Sequence, residues 1–324
     1  ILQYRHIGID YDIAVFTNLG TEHQERHGGF ENLKRDKGKM FAELVKRPRK
    51  IINGKKIEKI IIVNADDAQA RYYAHFLADT KWSYGFLPGI SMLGVTHISG
   101  FLKSAIEPIE FTVNNMCYHI NQPGSFNAYN ALAAVAVGQS QHIESKNISA
   151  GLISVQDIPG RMEFIDEGQN FKVVVDYAHE RLSYEALFST LRAMVKPFSG
   201  RVIGIIGSDG GGRDVQKRPD MGKIAGRLCD IVIVTDVNCF DEDPLAIAQM
   251  LAVGSREAGK KDSLNLYIEI DRRKAIALAF SLAKAGDVVA ITAKGTEPVL
   301  CVANGKKTPW DDRVVAREEL TKLR

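Results

Sequence analysis

Short runs of β-branched and aliphatic residues alternate with longer stretches of helical period along most of the chain. Ile13 to Thr17 is apolar and short, which predicts a buried strand, and a polar loop follows it. From Phe30 to Val45, Phe30, Leu33, Lys37, Met40, Phe41 and Leu44 recur at mixed three- and four-residue spacing, the period of a helix. Lys59 to Val63 predicts a second buried strand. It ends in Asn64-Ala65-Asp66-Asp67, where an Asp can cap the next helix. Residues 81–122 are shorter, alternating and turn-rich, the pattern of small antiparallel strands. Phe126 to Val137 predicts an alanine-rich helix, and another follows near Asn147 to Val155.

The cleanest break is the turn-forming cluster Gln156-Asp157-Ile158-Pro159-Gly160. Beyond it the alternation restarts. Lys172–Val175, Arg201–Ile206, Ile231–Thr235, Leu264–Ile268 and Val288–Thr292 predict strands, with helices near 182–195, 216–229, 244–258 and 271–284. Repeated strand–helix units imply a mainly parallel sheet covered on both faces, because right-handed crossovers place helices on either side. The expectation is two α/β domains, residues 1–157 and 158–324.

Composition narrows the class. With 324 residues, 45% hydrophobic and 25% charged, the chain suits a globular protein with sizeable cores. The formal net charge of +3 is too small to argue for nucleic acid or a membrane surface. No apolar run reaches the roughly 20 residues of a bilayer span. Cys117, Cys229, Cys239 and Cys301 form no CxxC pair, which favours reduced thiols and a cytoplasmic protein. The first residue is Ile1, and a strand-like stretch follows almost at once, as in a chain cut from something longer.

In doubly wound sheets, ligands meet the loops at the carboxyl ends of the strands. Four of the five later strands end in charged loops, two of them glycine-bearing: Asp176-Tyr177-Ala178-His179, the run from Gly207 through Arg213 and Asp214 to Lys217-Arg218, Asp236-Val237-Asn238 with Asp241-Glu242-Asp243, and Ala293-Lys294-Gly295-Thr296-Glu297. Turns alone do not need charged side chains in four separate loops, so a shared polar-ligand site is expected. The glycine run can turn N–H groups toward an anion, but it lacks the GxxxxGK[ST] spacing of a phosphate loop. In the first domain, Glu22-His23 precedes a lysine-bearing helix. Asn127 and Asn130, three apart on one helical face, are amides able to read a purine edge.

Taken in order, TNLGTEHQERHGGFENLKRDKGKMF, VNADD, GSFNAYNALAA, IPGRMEFI, VVDYAHE, GSDGGGRDVQKRPDMG, TDVNCFDEDP, DRRKAI and AKGTEP resemble the Mur ligase family, most closely its MurE (UDP-N-acetylmuramoyl-tripeptide synthetase) branch. The resemblance implies the later part of a central ATPase domain, then a Rossmann-like C-terminal domain with a mainly parallel sheet. It implies an ATP- and Mg²⁺-dependent ligase that joins a free amino acid to a UDP-N-acetylmuramoyl peptide through an acyl phosphate, in peptidoglycan precursor synthesis. Neither nucleic acid nor membrane insertion is expected, and the expected state is a monomer.

Carried over motif by motif, His23 would be a magnesium ligand, and Lys37 a catalytic lysine that carbamylation turns into an oxygen donor for the same ion. Asn127 and Asn130 would contact adenine, Arg161 the nucleotide phosphates and Asp176 the ribose, with His179 beside them as a second catalytic residue. Arg218, Asp236, Asn238, Gly295 and Glu297 would hold the incoming amino acid. Asp271-Arg272-Arg273 reads as a helix cap with surface charge.

Three departures from the family pattern matter. A GTxGKT-type phosphate loop, the UDP-binding domain and an upstream magnesium-binding Glu are not found in these residues, so this chain alone is expected to bind nucleotide weakly and turn over poorly. Phe240 stands where the diaminopimelate-type motif has an arginine, which disfavours a substrate with a second carboxylate. Glu180-Arg181 replaces the usual Thr-Pro after His179. Competing readings are a non-catalytic, ligase-derived nucleotide- or peptide-binding module, a folylpolyglutamate-synthase-like ligase and a dinucleotide-binding dehydrogenase. The last of these lacks GxGxxG after the first strand of either half.

Overall fold

The computed structural model describes residues 8–20, 27–106, 108–212 and 215–323. Contacts divide the chain into two units, 1–156 and 157–324.

In the first unit a six-stranded sheet runs in the order β1 (Ile13–Phe16), β4 (Ile60–Asn64), β5 (Thr80–Gly85), β6 (Thr96–Ser104), β7 (Ile109–Val113), β8 (Met116–Ile120). The alternation of the strands sorts their side chains onto two faces. Ile61 and Val63 join Ala14 and Phe16 against Leu33 and Phe41 of helix α1 (Phe30–Leu44), with Tyr73 of α2 (Ala70–Ala74) stacked on Phe16 at 4.0 Å. Ile60 and Ile62 face the other way, onto Leu132, Val135 and Ala136 of α3 (Ser125–Ser140), while α4 (Ser145–Ser154) lies along β8. Lys59, at the start of β4, is fully buried. Its ammonium meets the carbonyls of Tyr11 and Pro48 and the carboxylate of Asp12, so the charge keeps the partners that burial demands.

Residues 81–122 differ from expectation. Only β6, β7 and β8 are antiparallel, whereas β5 pairs parallel with both β4 and β6. The ten residues 86–95 are long enough to cross over to the start of β6, and turn-rich composition alone cannot distinguish such a crossover from a hairpin. A short hairpin, β2 (Ile51–Ile52) with β3 (Lys55–Lys56), adds a two-stranded extension.

The second unit has the sheet order β13 (Leu266–Ile268), β12 (Ile231–Val234), β11 (Val202–Ile206), β14 (Val288–Ile291), β10 (Lys172–Val175), β9 (Glu163–Ile165). All pair parallel except β9, an antiparallel edge strand absent from the sequence-based expectation. Helices α5 (Arg181–Val195), α6 (Lys217–Leu228) and α7 (Pro244–Glu257) accompany the strands. On the face lined by Val173, Ile203, Ile233 and Ile291 lie α8 (Arg272–Leu282) and α9 (Asp312–Thr321). A hairpin, β15 (Val299–Cys301) with β16 (Lys307–Pro309), leads into α9. The chain makes β10, leaves to make β11, β12 and β13, then returns to insert β14 between β10 and β11. That return sets the carboxyl ends of β10, β14, β11 and β12 side by side.

Asp271 caps α8 as expected, accepting from the N–H groups of Arg273 and Lys274. Arg272 is not surface charge. It is 2% exposed and forms a two-point pair with the buried Asp312 at 2.8 and 2.7 Å, and it also donates to the carbonyl of Thr292 at 2.6 Å. The correction follows from α9, which brings Asp312 from forty residues away in sequence.

Candidate active site

The four loops at the carboxyl rim of the second sheet are joined by side chains. Asn238, 5% exposed, donates to Asp209 Oδ1 at 2.9 Å and to Glu297 Oε2 at 3.1 Å, and its Oδ1 accepts from Lys294 Nζ and from the N–H of Cys301. Lys294, fully buried, also donates to Glu297 Oε2 at 2.7 Å and to the carbonyl of Val299. Tyr177 closes the circuit by donating its hydroxyl to Glu297 Oε1 at 2.9 Å. Burial pushes the Glu297 carboxyl up, but the Lys294 ammonium, Asn238 and Tyr177 together outweigh that and hold it below the usual carboxylate range.

The backbone under this network is tightly built. Gly160 has φ +66, and a Cβ there would lie 2.8 Å from Gly295 C and Thr296 N. Ala293 sits in the left-handed region at φ +81, an unfavourable setting for a residue with a side chain, and its N–H donates to the Ala178 carbonyl. Beside these loops a cleft of about 370 Å³ is lined by Pro159, Gly160, Arg161, Tyr177, Thr296 and Glu297, together with Pro298. The exposed Arg161 guanidinium lies over the Tyr177 ring, 4.6 Å from its centroid, so its charge borders the cleft.

His179 holds Nδ1 2.7 Å from the Tyr177 carbonyl, an oxygen that can only accept, so that nitrogen carries a proton and Nε2 remains as the second functional atom. Nε2 stands 3.7 Å from Glu180 Oε1. Glu180, in place of the expected Thr, caps α5 through a capping box and takes an ion pair from the buried Lys217 at 2.6 Å. Lys217 also donates to the His179 carbonyl. The replacement therefore anchors the base of the His179 loop to α6.

Two residues expected to face ligand are committed to the protein. Asp176 is 7% exposed, and its two oxygens accept from the N–H groups of Met162 and Ala178 at 2.8 and 2.7 Å. Burial pushes its carboxyl up, against those two hydrogen bonds. It clamps the 158–162 turn to the end of β10. Arg218 is 0% exposed, pairs with Glu242 at 2.9 Å and donates to the Asp209 carbonyl at 3.0 Å. It supports the glycine-rich loop from behind and shows no face to solvent. Asp236 is half-buried, accepts from the Val237 N–H and is pushed up by burial. Gly295 packs on Tyr177, where a Cβ would meet the tyrosine Cβ at 2.8 Å. Arg213 and Asp214 of the glycine-rich loop lie outside the described residues.

In the first unit, Lys37 is exposed on α1 and has no side-chain partner among the described residues. One residue before it, Asp36 accepts from Lys39 and contacts His27 Nδ1, both at 2.7 Å. Those two contacts hold its carboxyl below the usual range. His23 and Glu22 lie outside the described residues. At the start of α3 the two amides are together but unequal. Asn127 is buried and donates to the Pro123 carbonyl, and Asn130 is exposed and donates to Asn127 Oδ1 at 3.3 Å. The outward edge therefore belongs to Asn130. Asn64 and Asp67 bind the Thr17 carbonyl and the Leu19 N–H, holding the loop after β1 against the end of β4.

Sequence reasoning did not single out Tyr177 or Lys294 as site residues, and it read Lys217 as positive charge beside the glycine run, whereas its ammonium pairs with Glu180. Each stands inside a motif it had quoted, and the spacing of Lys294 three residues before Glu297 was the available signal.

Residues 2–138 match the family described as Mur ligase middle domain, and residues 160–295 that described as Mur ligase, glutamate ligase domain. The chain belongs to the Mur ligase family. It is 36% identical over 327 residues to UDP-N-acetylmuramoyl-L-alanyl-D-glutamate--2,6-diaminopimelate ligase of Geobacillus kaustophilus (strain HTA426), covering 97% of this chain and 61% of that protein. It is 35% identical over 332 residues to UDP-N-acetylmuramyl-tripeptide synthetase of Roseiflexus sp. (strain RS-1), covering 98% of this chain and 62% of that one. A solved structure of a UDP-N-acetylmuramoyl-L-alanyl-D-glutamate--2,6-diaminopimelate ligase aligns with TM-score 0.55 and 27% identity, over 99% of this chain and 62% of the other. The chain thus spans less than two thirds of the length of the curated relatives it matches. Like those Mur ligases it is mixed α/β with parallel-rich sheets, and no described helix is long and apolar enough to cross a membrane.

Proposed function

We propose that this Mur ligase chain is the catalytic part of an ATP-dependent amide ligase that adds an amino acid to a UDP-N-acetylmuramoyl dipeptide. The observation that carries the reading is the network of Lys294, Asn238, Glu297 and Tyr177, which joins four strand-end loops around one ionised carboxylate. An ionised, partly exposed Glu297 is suited to the ammonium of an incoming amino acid, and Asn238 and Lys294 keep it charged and aimed.

A carboxylate is a poor electrophile, so the acceptor carboxylate first takes the γ-phosphoryl group of ATP, and the amine then displaces phosphate from the acyl phosphate. Asn130 is the amide placed to read adenine. Arg161, at the rim of its cleft, is placed for nucleotide phosphates. His179 offers Nε2, and Lys37 is exposed to modification. His23 and a carbamylated Lys37 would hold Mg²⁺, and Lys37, exposed and without a side-chain partner among the described residues, fits that role. The ion supplies charge neutralisation between triphosphate and carboxylate. All four cysteines are free thiols, which supports a cytoplasmic setting.

The test is product formation by the full-length protein, followed by mass spectrometry of the UDP-linked product and by release of phosphate. Turnover should require ATP, the UDP-linked dipeptide and a free amino acid together, and Glu297→Gln should raise the amino-acid KM well above its effect on the KM for ATP. No amide product with any amino acid would overturn the reading. Phe240, with φ +52 and its N–H on the Cys301 carbonyl, stands at the motif position where diaminopimelate-type sequences carry an arginine. Lysine is therefore expected to be preferred over diaminopimelate, with Phe240→Arg shifting the ratio toward diaminopimelate. A wild-type preference for diaminopimelate would refute this assignment of Phe240.

A further inference from the structure

Strands β7 and β8 are joined by the two-residue turn Asn114-Asn115, with φ +47 and +65, a turn that fixes the register of the hairpin. In that register Glu110 lies directly opposite His119, and Thr112 opposite Cys117. The alternation of the strands buries Ile109, Phe111, Tyr118 and Ile120, so Glu110, Cys117 and His119 share the opposite, partly exposed face. No residue of this trio takes part in the proposed ligase site.

The three donor atoms converge. Cys117 Sγ is 3.0 Å from Glu110 Oε1 and 3.9 Å from His119 Nε2, and His119 Nε2 is 4.0 Å from Glu110 Oε2. A tetrahedral zinc ion with bonds of about 2.0–2.3 Å needs its ligand atoms about 3.3–3.6 Å apart. The observed separations bracket that range, and small side-chain rotations would equalise them. A cation already sits at the edge of this triangle: Lys103 Nζ is 2.7 Å from Glu110 Oε1 and 4.0 Å from Cys117 Sγ. Thiolate with imidazole favours zinc over the hard ions magnesium and calcium.

We propose that the β7–β8 hairpin carries a zinc-binding site formed by the Glu110 carboxylate, the Cys117 thiolate and His119 Nε2, with water as the fourth ligand. As the metal–sulfur bond forms, the thiol proton leaves to solvent and the Lys103 ammonium swings away from Glu110.

The test is titration of the purified chain with Co²⁺, read in the near-ultraviolet thiolate-to-cobalt charge-transfer band and followed by displacement with Zn²⁺. This band reports sulfur ligation alone, so Co²⁺ held by oxygen or nitrogen ligands elsewhere does not contribute. One saturable band is expected. It should be lost in Cys117→Ser, kept in Cys301→Ser and abolished by one equivalent of Zn²⁺. His119→Ala should weaken binding by at least the roughly tenfold that loss of an outer-shell partner costs. Lys103→Met removes the competing ammonium and should tighten binding, a gain that loss of folding cannot mimic. Absence of the band, its survival in Cys117→Ser, unchanged affinity in His119→Ala, or failure of Lys103→Met to tighten binding would each overturn the site.

Discussion

Replacing Asp312 by Ala leaves the Arg272 guanidinium in the interior of the second unit without its counter-charge. Arg272 is 2% exposed and Asp312 0%, and they meet through two hydrogen bonds of 2.8 and 2.7 Å. Removing one partner of a buried pair typically costs about 3–5 kcal/mol, because the remaining charge stays desolvated. The Trp310 Nε1–H, 2.7 Å from Asp312 Oδ1, loses its acceptor in the same change. With a urea dependence of about 2 kcal/mol per molar, the midpoint for this unit should fall by about 1.5–2.5 M.

The protein supplies its own reporter. Its two tryptophans are Trp82 and Trp310, one in each unit, so Trp310 fluorescence in a Trp82→Phe background follows the second unit alone. Replacing both partners, as Arg272→Met with Asp312→Leu, removes the stranded charge and should recover a large part of the loss. Arg272 also donates to the Thr292 carbonyl at the end of β14, so Asp312→Ala should loosen the loop that carries Lys294 and Glu297. A single-variant cost below about 1 kcal/mol, or a double variant equal to the sum of the singles, would refute the reasoning.

Two further outcomes follow from the rim of the same sheet. Because Glu297 is held below the usual carboxylate range, its ionised form contributes stability above that range, and the contribution is lost as pH falls through the lowered folded value. Glu297→Gln should therefore flatten the acid limb of stability against pH, measured by urea unfolding between about pH 3 and 5, while Asp287, held down in spite of its burial by Arg201 and backbone N–H groups, preserves a residual slope. An unaltered acid limb would count against the network. Gly160→Ala places a Cβ against the Gly295–Thr296 backbone at a φ of +66, and should destabilise the second unit by about 1–3 kcal/mol in the Trp310 assay. A neutral effect would show that the 160 and 295 loops are not held together as described.

Hydrophobic pattern alone placed most of the strands and helices that form both cores, though not the edge strand β9 or helix α9, because burial on one or two faces imposes a period that reads directly from the residues. The charged strand-end loops were legible too, since charged side chains in four separate loops exceed what turns need. Local pattern could not determine which loops meet. That depended on β14 returning to lie between β10 and β11, a long-range pairing with no local signature. The same limit explains Arg272, whose place on a helix was legible but whose burial depends on Asp312 in a distant helix. It explains Arg218 and Asp176, charged residues at motif positions that tertiary packing turns inward against Glu242 and the Met162 and Ala178 amides. The sequence by itself determined which residues are available for chemistry and in which elements they lie. Tertiary structure decided which of them face a ligand and which hold the backbone, because burial and partnership are properties of contacts between segments far apart along the chain.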